Sequence, residues 1–191
     1  PAMRSASRLH EDVASGLMGR PTGRGYPKLY RNTGEEGRNR FEEVGSKLGL
    51  TDASLVMGAN FGDLDNDGYL DMYLGLGEPP YDSIAPNLMY RNDAGNGFQN
   101  VSYSGGFAHL QKGHGIGFGD IDNDGDQDVF QQMGGAFPGD AYPSVLYLNP
   151  GHDNRWIGLD LVPKRGVTAM GALIEVDVQT EAGPGGRSTA P

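Results

Sequence analysis

The chain has 191 residues, a formal net charge of −10 and 37% hydrophobic residues, which suits one domain with a modest core. It contains no cysteine, so disulfides and cysteine-based zinc or iron–sulfur sites are excluded. No apolar run is long enough for a membrane-spanning helix, and no basic stripe points to nucleic acid as a partner.

The N-terminal segment, residues 1–27, carries little pattern. Leu9, Val13 and Leu17 have helical spacing, which favours a short helix. From residue 28 onwards the chain is rich in Gly, Pro, Asn and Asp, which separate short apolar runs and indicate strands joined by turns.

Residues 28–152 contain an internal repeat of about 57 residues. A Tyr-containing segment recurs 60 and then 57 residues further on, at 29–32, 89–92 and 146–149. A fixed period of this size is typical of repeat architectures, and a unit of four short strands is typical of a propeller blade. We therefore predict an all-β fold, a partial β-propeller with four-stranded antiparallel blades.

The predicted strands of the complete blade are placed near 56–62, 69–76, 87–92 and 97–102. The unit before this blade supplies only its last two strands, and the unit after it supplies at least three. A closed ring needs more blades than this chain holds, so we expect the remaining propeller blades to belong to a longer chain.

Two nine-residue acidic loops, 63–71 and 120–128, share the pattern D-x-D-N-D-G-x-x-D and lie 57 residues apart. Their nine Asp residues account for nearly all of the net charge. Carboxylates at positions 1, 3, 5 and 9 and the backbone carbonyl at position 7 suit a hard cation, and glycine at position 6 permits the sharp turn. The predicted metal ligands are Asp63, Asp65, Asp67, Tyr69, Asp71, Asp120, Asp122, Asp124, Asp126 and Asp128, with Tyr69 and Asp126 acting through their carbonyls.

The cation predicted for these loops is Ca²⁺, at two sites. An EF-hand needs Glu at position 12, where this chain has Leu74 and Gln131. Magnesium prefers to keep its waters, and zinc would need cysteine or clustered histidine. The alternative is a polar turn that binds nothing, and the repetition of the pattern argues against it. We predict no catalytic residue, and His114 is interpreted as a packed or surface histidine.

Residues 153–180 differ in character from the repeats. Trp156–Val162 and Ala172–Gln179 are strand candidates with no acidic loop between them, which indicates a separate small β module. Residues 181–191, rich in Gly, Ser and Pro, are predicted to be disordered.

Residues 58–71 and 115–128 resemble FG-GAP/VCBS repeats, the calcium-binding blades of integrin-α-like propellers. Residues 154–161 and 170–176 resemble the start of an ASPIC/UnbV domain, and the combination is similar to the cartilage acidic protein family. The resemblance implies an extracellular, cell-surface or periplasmic propeller that Ca²⁺ stabilises and that acts as a binding or adhesion module for a protein or polysaccharide.

Two other functions remain open from the sequence. The first is the propeller domain of a calcium-dependent enzyme that processes polysaccharides, in which paired carboxylates serve as general acid and base. The second is a purely structural repeat segment whose binding function lies elsewhere, because a fold does not fix a function.

Overall fold

The computed structural model describes residues 27–34, 38–52, 54–81, 83–152, 154–163, 168–180 and 183–190. The short helix predicted around residues 9–17 lies outside this part of the chain. The chain divides into two compact units, Pro1–Asn154 and Arg155–Pro191. All regular secondary structure in the described ranges is β, and none of them contains a helix that could cross a membrane.

Within its described residues, the first unit contains three antiparallel sheets. The first is the hairpin of β1 (Tyr30–Asn32) and β2 (Phe41–Glu43). The central sheet has four strands in chain order: β3 (Val56–Gly62), β4 (Asp71–Leu76), β5 (Leu88–Asn92) and β6 (Phe98–Asn100). The third sheet has three strands: β7 (Gly113–Gly119), β8 (Asp128–Met133) and β9 (Val145–Tyr147).

These sheets confirm the predicted all-β fold class and are consistent with a partial β-propeller. The complete blade has its four strands where the repeat predicted them, each within two residues at either end. The unit before it contributes a two-stranded hairpin, and the unit after it contributes three strands.

The second strand of the central sheet, β4, is buried on both faces along its whole length. Side chains alternate between the two faces of a strand, so Met72 and Leu74 lie on the same face. They belong to a hydrophobic cluster on the side of the first hairpin, against which Leu29 packs. Tyr73 and Met89 lie on the opposite face and form a second hydrophobic cluster with residues of the third sheet. The core is therefore formed by sheets stacked face to face.

Glycine allows two of these sheets to approach closely. A Cβ atom at Gly58 would overlap the carbonyl oxygen of His114, and one at Gly75 would press on the backbone of Gly113. Backbone contact of this kind needs a residue without a side chain. The inner strands of the complete blade thus lie directly against β7.

The second unit contains one hairpin, β10 (Ile174–Thr180) and β11 (Gly183–Ala190), paired antiparallel. The strand predicted at Ala172–Gln179 thus forms at 174–180. The predicted disorder of 181–191 is wrong for 183–190, because the backbone of this segment pairs with β10 whatever its side-chain composition.

The strand predicted at Trp156–Val162 is also wrong, because residues 154–163 carry no strand assignment. A strand needs a neighbouring backbone to pair with, and the apolar side chains of Trp156, Ile157 and Val162 remain exposed. Apolar content alone was therefore not sufficient to form a strand here.

Candidate metal centre

Each acidic loop joins the first two strands of a sheet, β3 to β4 in the first copy and β7 to β8 in the second. The two loops share an unusual backbone conformation. Position 4 is left-handed in both, with φ of 53° at Asn66 and 62° at Asn123, and so is position 6, with φ of 88° at Gly68 and 97° at Gly125. Asn and Gly are the residues that adopt this conformation at least cost, so the shared turn follows from the shared sequence.

The carboxylate at position 1 organises the backbone of its own loop. In the first loop Asp63 accepts hydrogen bonds from the amides of Asp67, at 3.0 Å, and Gly68, at 2.9 Å. Asp67 in turn accepts one from the amide of Tyr69 at 2.9 Å. The second loop repeats all three contacts, at 3.0–3.1 Å, through Asp120, Asp124, Gly125 and Asp126.

This curled backbone brings the carboxylates of positions 1, 3 and 5 together. One oxygen from each of Asp63, Asp65 and Asp67 lies within 4.8 Å of the others, and the same holds for the second triad, Asp120, Asp122 and Asp124. Six of the ten predicted ligands therefore form two matching triads. Three convergent carboxylates suit a hard divalent cation, which takes oxygen ligands.

The position 9 carboxylates take no part in these triads. Asp71 accepts the backbone amide of Leu64 through one oxygen, at 2.9 Å, and that of Asn92 through the other, at 2.8 Å. Asp128 accepts the equivalent amides of Ile121 and Asn149, both at 2.9 Å. Both side chains are buried. In the first copy this contact ties the loop to the third strand of the sheet, and in the second copy it ties the loop to the segment just after the third strand. Their role as ligands stays a prediction, as does that of the position 7 carbonyls of Tyr69 and Asp126.

An arginine that the motif does not include contacts the first triad. Arg91 on β5 places its Nε 2.6 Å and its Nη2 2.5 Å from one oxygen of Asp65, Oδ2. The other oxygen, Oδ1, is buried and has no hydrogen-bond partner among the described residues. A buried carboxylate oxygen without a donor is costly unless a cation satisfies it, so the first triad fits a metal ion.

Burial and neighbouring carboxylates raise the pKa of several aspartates of the loops. Burial raises the pKa of Asp71 to about 6, against the lowering effect of its two amide donors. Burial also raises the pKa of Asp63, and the charges of Asp67 and Asp65 add to the effect. In the second loop the pKa of Asp122 is raised by desolvation and by the charge of Asp124. Opposite charge at either triad would favour the ionised forms.

The two loops also contact each other across the sheets. The amide group of Asn66 donates to the Asp126 carboxylate at 2.5 Å and to the Gly125 carbonyl at 3.2 Å. In the opposite direction, the side-chain oxygen of Gln127 accepts the backbone amide of Asp63 at 3.0 Å. Sequence reasoning missed these contacts and that of Arg91, because each joins residues far apart in the chain.

A cleft of about 570 Å³ lies beside the first loop, between the central and third sheets. Its walls are mostly apolar and include Phe107, Val129 and Tyr147, while Arg91 and His152 add polar groups. A concave apolar surface with a few polar groups is the usual character of a ligand site. The cleft and the first acidic loop therefore form one continuous region of the molecule.

Stacked antiparallel sheets with acidic loops at equivalent positions are consistent with a β-propeller-type module. In agreement, the family model described as FG-GAP-like repeat matches residues 10–74, so this part of the chain is an FG-GAP-like repeat. No curated protein matches the chain significantly. The match includes the first acidic loop, whereas the likeness of the second loop rests on its equivalent sequence and geometry.

Proposed function

We propose that the chain is a calcium-binding propeller module in which Ca²⁺ fixes each acidic loop and thereby holds together the first two strands of its sheet. The observation that carries this proposal is the pair of matching carboxylate triads, one of which contains a buried oxygen without a partner. Asp63, Asp65 and Asp67 would hold the first ion, and Asp120, Asp122 and Asp124 the second.

The chemistry of the triads favours calcium over other cations. All available ligands are oxygens, and calcium accepts six to eight of them in a flexible geometry. A bound ion would supply positive charge where three carboxylates approach one another. Hydrogen bonds that backbone amides of each loop donate to Asp63 and Asp120 would keep the loop curled.

We further propose that the module is a non-catalytic scaffold for binding or adhesion. The two hydrogen-bonded loops and the adjoining cleft would form a binding surface for a protein or polysaccharide. Millimolar calcium outside cells would suit loops of moderate affinity, so the proposed location is extracellular, at the cell surface or in the periplasm. The ASPIC/UnbV resemblance of residues 153–180 stays a prediction.

Calorimetric titration of the full chain with CaCl₂ tests the calcium proposal. We expect two sites, and the variants Asp65→Ala and Asp122→Ala should each lower the stoichiometry by one. Asn96→Ala, in the turn between β5 and β6, is the control and should keep both sites. An unchanged stoichiometry in both aspartate variants would contradict the ligand assignment.

A further inference from the structure

Arg91 and Leu148 occupy the same place in the central and third sheets. They are 57 residues apart, the period of the repeat. Each precedes an asparagine whose backbone amide donates to the position 9 carboxylate of its own loop, at 2.8 Å in the first copy and 2.9 Å in the second. The side-chain amides of the same asparagines donate to equivalent carbonyls, at 3.0 and 3.1 Å. The two positions are therefore equivalent in structure as well as in sequence.

The charge beside the two triads nevertheless differs. In the first loop the Arg91 guanidinium contacts Asp65 through two nitrogens, and the Asp65 side chain is almost fully buried. In the second loop the equivalent residue is Leu148, which can supply no counter-charge to Asp122. The first triad thus has a positive charge at a position where the second has an apolar side chain.

We propose that Arg91 opposes the binding of a divalent cation at the first loop. This inference rests on the proposed calcium function and concerns one of its sites. Arg91 neutralises part of the negative charge that attracts a cation to the triad. Its guanidinium also repels the cation directly, because it stays in contact with Asp65.

A second effect of Arg91 acts in the opposite direction. By holding one oxygen of Asp65, it orients the other oxygen, Oδ1, which has no partner. Orienting one short side chain saves only a small amount of conformational entropy. A full unit of like charge a few ångströms from a divalent ion changes affinity by about tenfold or more, so repulsion is the larger effect. Removing the charge should therefore tighten binding.

The test is a titration of the full ¹⁵N-labelled chain with CaCl₂, followed by NMR. Gly68 reports on the first loop and Gly125 mainly on the second, because each amide donates to the position 1 carboxylate of its own loop, at 2.9 and 3.0 Å. In Arg91→Leu we expect the Gly68 midpoint to fall about tenfold in calcium concentration, with the Gly125 midpoint unchanged. A variant that merely loosened the first loop would bind more weakly, so the direction of the change separates charge from structure.

Two further variants complete the design. Leu148→Arg should raise the Gly125 midpoint about tenfold and leave Gly68 unchanged, and Arg91→Lys, which keeps the charge, should stay close to the parent chain. An unchanged or higher Gly68 midpoint in Arg91→Leu, or an unmoved Gly125 midpoint in Leu148→Arg, overturns the proposal while the calcium function stands. If the parent chain shows no calcium response at either glycine, the proposed function fails and this inference fails with it.

Discussion

The position 9 aspartates have a structural role that their place in a metal-binding pattern does not reveal. Asp71 and Asp128 each accept two backbone amides, one from their own loop and one from the third strand of the sheet or the segment just after it. A carboxylate that is buried and hydrogen-bonded in this way joins three segments of the sheet without any ion. The loops therefore combine a structural acceptor at position 9 with a triad of convergent carboxylates at positions 1, 3 and 5.

This division predicts different effects for two substitutions in one loop. In the presence of a chelator, Asp71→Ala should lower the free energy of unfolding by roughly 2–4 kcal/mol, because two amides lose their buried acceptor. Asp67→Ala, which removes a triad carboxylate with a single amide contact, should cost about 1 kcal/mol or less under the same conditions. Urea unfolding of both variants measures the difference, and equal losses would contradict the separate roles.

At the scale of elements, the two loops are connected through side chains that are not predicted ligands. Gln127 belongs to the second loop but accepts the backbone amide of Asp63, the first residue of the other loop. Asn66 makes the reverse connection to Asp126. The conformation of one loop therefore depends on contacts from its neighbour.

We expect Gln127→Ala to weaken calcium binding at the first loop by about two- to tenfold, which corresponds to the loss of one hydrogen bond. The Gly68 amide would report this change in an NMR titration. Gln132→Ala is the matched control, since this exposed glutamine lies on the adjacent strand β8. A Gly68 midpoint that is the same in Gln127→Ala and in the parent chain would show that the loops are independent.

The sequence predicted those elements whose signals are local. The strands of the complete blade were predictable because turn residues bound each apolar run, and the triads were predictable because their carboxylates are spaced within one loop. β4 begins at Asp71 instead of residue 69 because Asp71 closes the loop. The contact of Arg91 with Asp65 joins residues distant in the chain, and no local pattern encodes it. β11 was missed for another reason: it pairs with the adjacent strand β10, but its Gly-, Ser- and Pro-rich composition indicated disorder.

At the scale of the whole molecule, the repeat identifies an uncovered sheet face. Phe130 and Leu146 are equivalent in the repeat to Tyr73 and Met89, which lie 57 residues earlier in the chain. Tyr73 and Met89 are fully buried between two sheets, whereas Phe130 is 47% and Leu146 46% exposed. Stacking another sheet on this face would bury them in the same way, so we expect a further blade to cover it.

Until it is covered, this face should promote self-association of the chain. We expect the double variant Phe130→Ser/Leu146→Ser to stay monomeric at concentrations where the parent chain associates, because exposed apolar patches drive association. Stability should change little, since both side chains are half exposed. Sedimentation velocity over a range of concentrations measures this, with Tyr103→Ser, an exposed aromatic in the loop after β6, as the control. Equal association of the parent and the double variant would contradict the interpretation of this face.

We propose that calcium stabilises the folded chain through the two acidic loops. The most direct measurement is the thermal unfolding of the full chain, followed by circular dichroism, in excess CaCl₂ and in chelator. A cation that binds only the folded state stabilises it by about 2.7 kcal/mol at a hundredfold excess over its dissociation constant, so the melting temperature should rise clearly with calcium. The Asp65→Ala/Asp122→Ala variant should lose this rise. A folded parent chain with the same melting temperature in calcium and in chelator would contradict the account.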